Sequence, residues 1–224
     1  MGCRAGAACS ATHFSVYLSL NCGTHNQFKY EMNNNPPEMK EAIRAELEET
    51  RSVFHALLDA LSEDDLSKPS HNPGWTNGEI LAHMTFGFIV VNALLPLVRV
   101  WGRFPRWTSK PFAGLLNALT VPFNWVNGLG ARMQARVFTY ERVGSFYDRA
   151  HFALIKQMES VEPDEWERGM YYPTRWDANF GDFMTISKLF HYPVLHFNFH
   201  KEQLQYTGSK FTANNIHAIK GRSE

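Results

Sequence analysis

At 224 residues the chain has room for one domain with a full hydrophobic core, and two would be a strain. Hydrophobic residues at 44% against 20% charged exclude a wholly disordered chain. Twenty-two basic residues balance 22 acidic ones, so the global charge gives no case for nucleic acid, whose phosphates demand clustered Lys and Arg.

Residues 1–35 differ from the rest. They mix Gly, Ala, Ser, Thr and Asn, end in Asn33-Asn34-Asn35-Pro36-Pro37, and hold all three cysteines, Cys3, Cys9 and Cys22. An odd number of cysteines without CxxC spacing argues against a disulfide framework and a thiolate metal site. The segment reads as a disordered leader, with Met32 or Met39 as alternative starts. It has no apolar core followed by a small-residue cleavage site, and Gly6 stands where the myristoylation pattern wants Ser or Thr. A cytoplasmic location is the expectation.

The first predicted helix opens at Pro37, with Glu38 and Glu41 suited to its positive end. Ile43, Leu47, Thr50, Phe54, Leu57 and Leu61 then recur by fours and threes, the seam of a helix packed lengthwise in a bundle. Ser62 to Gly74 is a loop by composition. A second helix begins after Trp75, where Thr76 and Glu79 form a capping-box pattern. Its run from Ile80 to about Leu95 is apolar on nearly all sides and should be deeply buried, with Pro96 marking an end or a kink.

Residues 96–136 are broken by Pro96, Pro105, Pro111 and Pro122 and by four glycines, and read as a helical, apolar insertion capping one end of the bundle. From Ile80 to Tyr140 there is no Asp or Glu, yet Arg99, Arg103, Arg106, Lys110, Arg132 and Arg136 all occur. Trp101, Trp107 and Trp125 are interleaved with them. Two expectations compete: a cap whose arginines pair with acids elsewhere in the chain, and a surface for an anionic membrane. A third helix runs from about Ala135 to Ser160, with Phe138, Phe146, Phe152, Ile155 and Met158 among its apolar positions. After a loop over Val161–Asp182, a fourth covers roughly Phe183 to Tyr206, and 207–224 is a polar tail. No strand pair or phosphate loop stands out. The fold class is all-α, a four-helix bundle over residues 36–206.

His196 and His200 lie one helical turn apart on one face, so both imidazoles can reach one cation. A zinc-like ion needs more ligands, and His83, in the buried second helix, is the natural third. On spacing alone an ordinary hydrogen-bonded histidine competes with this assignment. His191 ranks below His83, because it lies off the face of His196 with Pro193 between them.

The stretch Gly74-Trp75-Thr76-Asn77-Gly78-Glu79-Ile80-Leu81-Ala82-His83-Met84 resembles the DinB/YfiT-like pattern, in which a loop Trp leads into a helix carrying a metal histidine. His196-Phe197-Asn198-Phe199-His200, followed by Gln203-Leu204, resembles the last helix of that family. The resemblance covers about residues 38–206 and implies a four-helix bundle with three histidine ligands around one divalent ion, zinc or nickel, with open coordination sites. It further implies a metal-dependent transferase acting with a low-molecular-weight thiol on an electrophile. Since the bundle has no cysteine, the thiol must be external. The alternatives are a non-catalytic, metal-stabilised bundle and a helical protein that binds a membrane or a partner; a homodimer is compatible with each. The insertion is longer and more apolar than the family usually carries. Glu79 and Tyr192, each one turn before a histidine, are candidates to support the ligands from behind, against a capping role for Glu79 and a core role for Tyr192. Arg175, Trp176 and Asp177 would stand at the rim. No residue is assigned as a general base.

Overall fold

Helix α1 spans Pro36–Ala60, and its predicted seam is its buried face: Ile43, Leu47, Thr50, Phe54 and Leu57 all point into the core. The structure is a computed structural model that describes residues 36–137 and 140–205; the expected leader and polar tail lie outside them, as does Phe138. A short helix, α2 (Glu63–Ser67), occupies part of the segment expected to be loop. Ser62 and Asp65 close a capping box there, so the four-residue signal sufficed for one turn.

Helices α3 (Asn77–Met84) and α4 (Phe86–Trp101) form the second long element and meet at Thr85, whose N–H turns back to the Ala82 carbonyl. The run Asn77–Trp101 is long and apolar enough to cross a membrane, but its apolarity is accounted for by burial: Leu81, Met84, Phe88, Val91 and Leu95 sit in the core. Of the two expectations at Pro96, the end is not met: the helix continues to Trp101 with the proline inside it. Proline at 96 leaves the Asn92 carbonyl without its helical donor. The Gln157 side chain supplies a substitute, Nε2 donating to that carbonyl at 3.2 Å and to Asn92 Oδ1 at 2.6 Å.

The insertion folds as a 3-10 turn (Arg106–Ser109), α5 (Lys110–Ala118) and α6 (Thr120–Val137). Pro111 and Pro122 fall in first turns, where a missing N–H costs nothing. α7 follows over Tyr140–Glu159, beginning later than predicted because α6 runs to Val137. Met158 lies in the core, whereas Phe152 is exposed with Arg51 over its ring.

The fold is all-α as expected, with one small strand pair that did not stand out in the sequence. β1 (Gly169–Tyr171) pairs antiparallel with β2 (Phe183–Thr185), with Met170 opposite Met184. Three residues per strand leave no periodicity to detect. β2 takes the first residues predicted for the last helix, so α8 spans Ile186–Lys201, with Thr185 as its N-cap.

Helices α1 and α4 each pack against both α7 and α8, which closes the four-helix bundle. One aromatic group joins all four: Phe54 of α1 stacks on Tyr147 of α7 at 3.9 Å, Phe88 of α4 meets Tyr147 at 5.0 Å, and Phe197 of α8 meets Phe54 at 6.5 Å. Burial of each such ring contributes about 2–3 kcal/mol.

Candidate metal centre

The site begins at a turn. Gly74 has φ of 79°, a left-handed conformation that favours glycine, and it delivers Trp75 to the start of α3. Thr76 then caps the helix: its hydroxyl accepts from the Glu79 N–H at 3.2 Å, and the Glu79 carboxylate accepts from the Thr76 N–H at 2.8 Å. The described bonds of Glu79 are therefore those of the cap. Asn77, fully buried, ties α3 to the chain leaving α8: its Nδ2 donates to the Gln205 carbonyl, and its Oδ1 accepts from the Gln205 N–H at 2.9 Å. Capping and this clasp fix the register between the helix carrying His83 and the helix carrying His196 and His200.

His83, His196 and His200 converge between α3 and α8 with their rings buried, at 6%, 2% and 7% exposure. One ring nitrogen from each lies within 4.8 Å of the others, close enough to hold a single ion. Ring centroids are separated by 5.0 Å for His83–His196 and by 4.5 Å for each of the other two pairs. Gly87 makes the approach of α8 feasible, since a Cβ there would stand 3.0 Å from His196 Cδ2 and 3.2 Å from its Cβ.

The outward nitrogens of His196 and His200 are engaged. His196 Nδ1 is 3.1 Å from Asp177 Oδ2, and His200 Nδ1 is 2.9 Å from Gln203 Oε1. Burial pushes the Asp177 carboxyl up, but the hydrogen bond and charge of His196, the Asn179 N–H and the Tyr192 hydroxyl outweigh it and hold the group at about 2. An ionised carboxylate can only accept, so His196 donates from Nδ1, and the neutral ring with that tautomer carries its lone pair on Nε2. That Nε2 is buried and has no hydrogen-bond partner. Tyr192 donates to Asp177 at 2.7 Å, and its oxygen lies 3.3 Å from His196 Nδ1. Burial, followed by the charges of the other two rings, pushes His83 well below the ordinary histidine range. Burial, then the charge of His196, pushes His200 down to about 3. His83 and His200 are thus favoured in their neutral state, the state in which imidazole binds metal. A buried His196 nitrogen with no partner, beside two imidazoles that burial keeps neutral, fits a divalent ion.

Around the rings stand aromatic walls. Trp75 meets His83 edge-on at 5.1 Å, and Phe86 stacks on it at 5.3 Å. The insertion completes the cover: Phe123 of α6 stacks on Trp176 at 3.9 Å and lies 6.1 Å from Phe86, while Trp176 Nε1 donates to the Leu116 carbonyl at 2.8 Å. The Asn117 side chain accepts from the Arg175 N–H. His191 stands apart, its Nδ1 2.7 Å from Glu46 Oε2.

The structure thus brings together the three predicted histidines, places Tyr192 behind His196, and assigns Glu79 the bonds of a cap. Asp177 and Gln203 take positions behind the ligand candidates that their sequence context did not specify. Phe86 and Phe123, unmarked in the sequence, line the site; the hint for Phe86 was its place one turn after His83.

Fold and site together define a helical bundle with a three-histidine centre between its second and last long helices. A family model of the DinB superfamily matches residues 46–204, well over half of the chain, and the chain belongs to that superfamily. No curated protein and no solved structure matches it.

Proposed function

We propose that the chain is a divalent-metal-binding DinB-like protein whose His83, His196 and His200 hold one ion, zinc or nickel, and that it transfers a low-molecular-weight thiol to an electrophile. The single observation that carries this is the buried, partnerless Nε2 of His196, set beside the imidazoles of His83 and His200. Three imidazole nitrogen donors suit zinc and nickel and leave coordination places for other ligands. A bound divalent ion would supply a Lewis acid that lowers the pKa of a coordinated thiol.

The residues of the chain have the remaining tasks. Asp177 and Gln203 hold the His196 and His200 rings in one orientation and one tautomer. Phe86, Phe123, Trp75 and Trp176 exclude water from the histidines. Residues 36–205 contain no cysteine, so the bundle itself supplies no thiol and the reading calls for an external one.

Burial of all three rings also supports a second reading, in which the ion only ties α3 to α8. An assay of low-molecular-weight thiols with an activated electrophile separates the two. Transfer that disappears on chelation, returns with metal and is missing from His200→Ala supports the enzyme. A metal-loaded protein without thiol transfer leaves the structural role and ends the catalytic one.

A further inference from the structure

The insertion has two faces of opposite character. Its inner face is covered, through Ala113, Ala131 and the Phe123–Trp176 stack. The outer face is not. Leu115 of α5, Leu119 just after that helix, and Val121, Trp125, Leu129 and Met133 of α6 are all exposed, Val121 at 74% and Trp125 at 68%. In α6 positions 121, 125, 129 and 133 recur at one-turn spacing and therefore form a single apolar stripe. Exposed apolar groups scattered singly need no explanation, but a continuous stripe on consecutive helices does.

Charge indicates what covers it. No carboxylate occurs from Ile80 to Tyr140. Arg99 is neutralised by Glu165, as the pairing expectation required. Arg103, Arg106, Lys110 and Arg132, all exposed, have no acidic partner among the described residues. Arg106 and Lys110 rest instead over the rings of Phe183 and Tyr171. Lys110 opens α5, and Arg132 adjoins Met133 near the end of the α6 stripe. A second copy related by a two-fold axis would set this surface against itself, cation facing cation with no anion between them. An anionic lipid surface offers the complement to both components, apolar and positive.

We propose that the outer face of α5 and α6 docks on an anionic membrane surface. Trp125 sits at headgroup level, the aliphatic residues enter the acyl boundary, and Lys110, Arg132, Arg103 and Arg106 meet the headgroups. The docking is peripheral, and it is independent of the histidine centre.

Co-sedimentation with phosphatidylcholine vesicles, with and without phosphatidylserine, tests this. The full chain should sediment with the mixed vesicles at low salt, far less with phosphatidylcholine alone, and progressively less as salt is added. Each cation near such a surface is worth about fivefold in partitioning, so Lys110→Ala/Arg132→Ala should bind about 25-fold more weakly. Val121→Ser/Trp125→Ser/Leu129→Ser should lose binding while keeping its helical circular dichroism, because these side chains are exposed. If that variant fails to fold, the salt dependence and the charge variant decide. Absence of binding to mixed vesicles at low salt overturns the proposal, as does undiminished binding by the charge variant. A concentration-dependent dimer that the serine variant abolishes, without vesicle binding, would assign the face to a second copy and overturn it equally.

Discussion

His196 illustrates how a single residue is prepared for its role. Its Nδ1 donates to an ionised Asp177 and its Nε2 is buried with no partner. Asp177→Asn removes the charge that orients the ring and favours the Nδ1–H tautomer. Metal affinity should fall about 10–100-fold in that variant, measured by competition with a chromogenic chelator, with the fold intact by circular dichroism. Unchanged affinity would show that Asp177 does not position the ligand. A pH dependence follows from the same burial. Folded His83 and His200 resist protonation, His200 to about 3, while the unfolded chain takes up protons near ~6.5. Between these values the unfolded state binds more protons, so stability rises with pH. The contribution is complete above ~6.5 and is lost progressively as pH falls toward 3. Metal binding, which needs neutral rings, should weaken over the same acid range, and the rise in Tm that metal confers should shrink with it. A metal-dependent rise in Tm that stayed constant to the acid end would contradict this. At this scale the ligand candidates were legible because helical spacing alone puts 196 and 200 on one face. Asp177 was only a rim residue in the sequence, because its position depends on the turn of the chain between β1 and β2.

The elements were legible where hydrophobic period and capping agreed. α1 has both a seam and acidic residues in its opening turns, and α3 has a complete Thr76–Glu79 box. Expectation failed where a tertiary partner overrode a local rule. A helix end at Pro96 is one of the two expectations there, yet α4 continues past it, with Gln157 of α7 reaching the orphaned Asn92 carbonyl. Gln157→Leu should therefore destabilise the protein by about 1–2 kcal/mol, since it leaves a part-buried carbonyl unpaired. Pro96→Ala restores the backbone donor and should recover much of that loss in the double variant. Additive effects in chemical denaturation would show that the two sites are uncoupled. The β1–β2 pair was invisible for a different reason: its strands are too short for a pattern, and they pair across a loop whose course the sequence does not specify.

At the scale of the whole molecule, the packing of the helices accounts for the site. The second long helix is held against α8 by the Asn77–Gln205 clasp at one end and the contact of Gly87 with His196 further along. The insertion seals the side of the centre that the bundle leaves open, with Phe123 on Trp176. Binding of an ion to the folded cluster but not to the open chain should therefore stabilise the entire bundle, and α3 would be the element most protected from local opening. All of this rests on one claim, that His83, His196 and His200 share one divalent ion. Elemental analysis of the purified chain beside His83→Ala, His196→Ala, His200→Ala and His191→Ala tests it most directly. About one equivalent of zinc or nickel in the native chain and in His191→Ala, with a sharp loss in each of the other three, is the expected result. Full metal content in His196→Ala, or none in the native chain at neutral pH after metal is supplied, would contradict it.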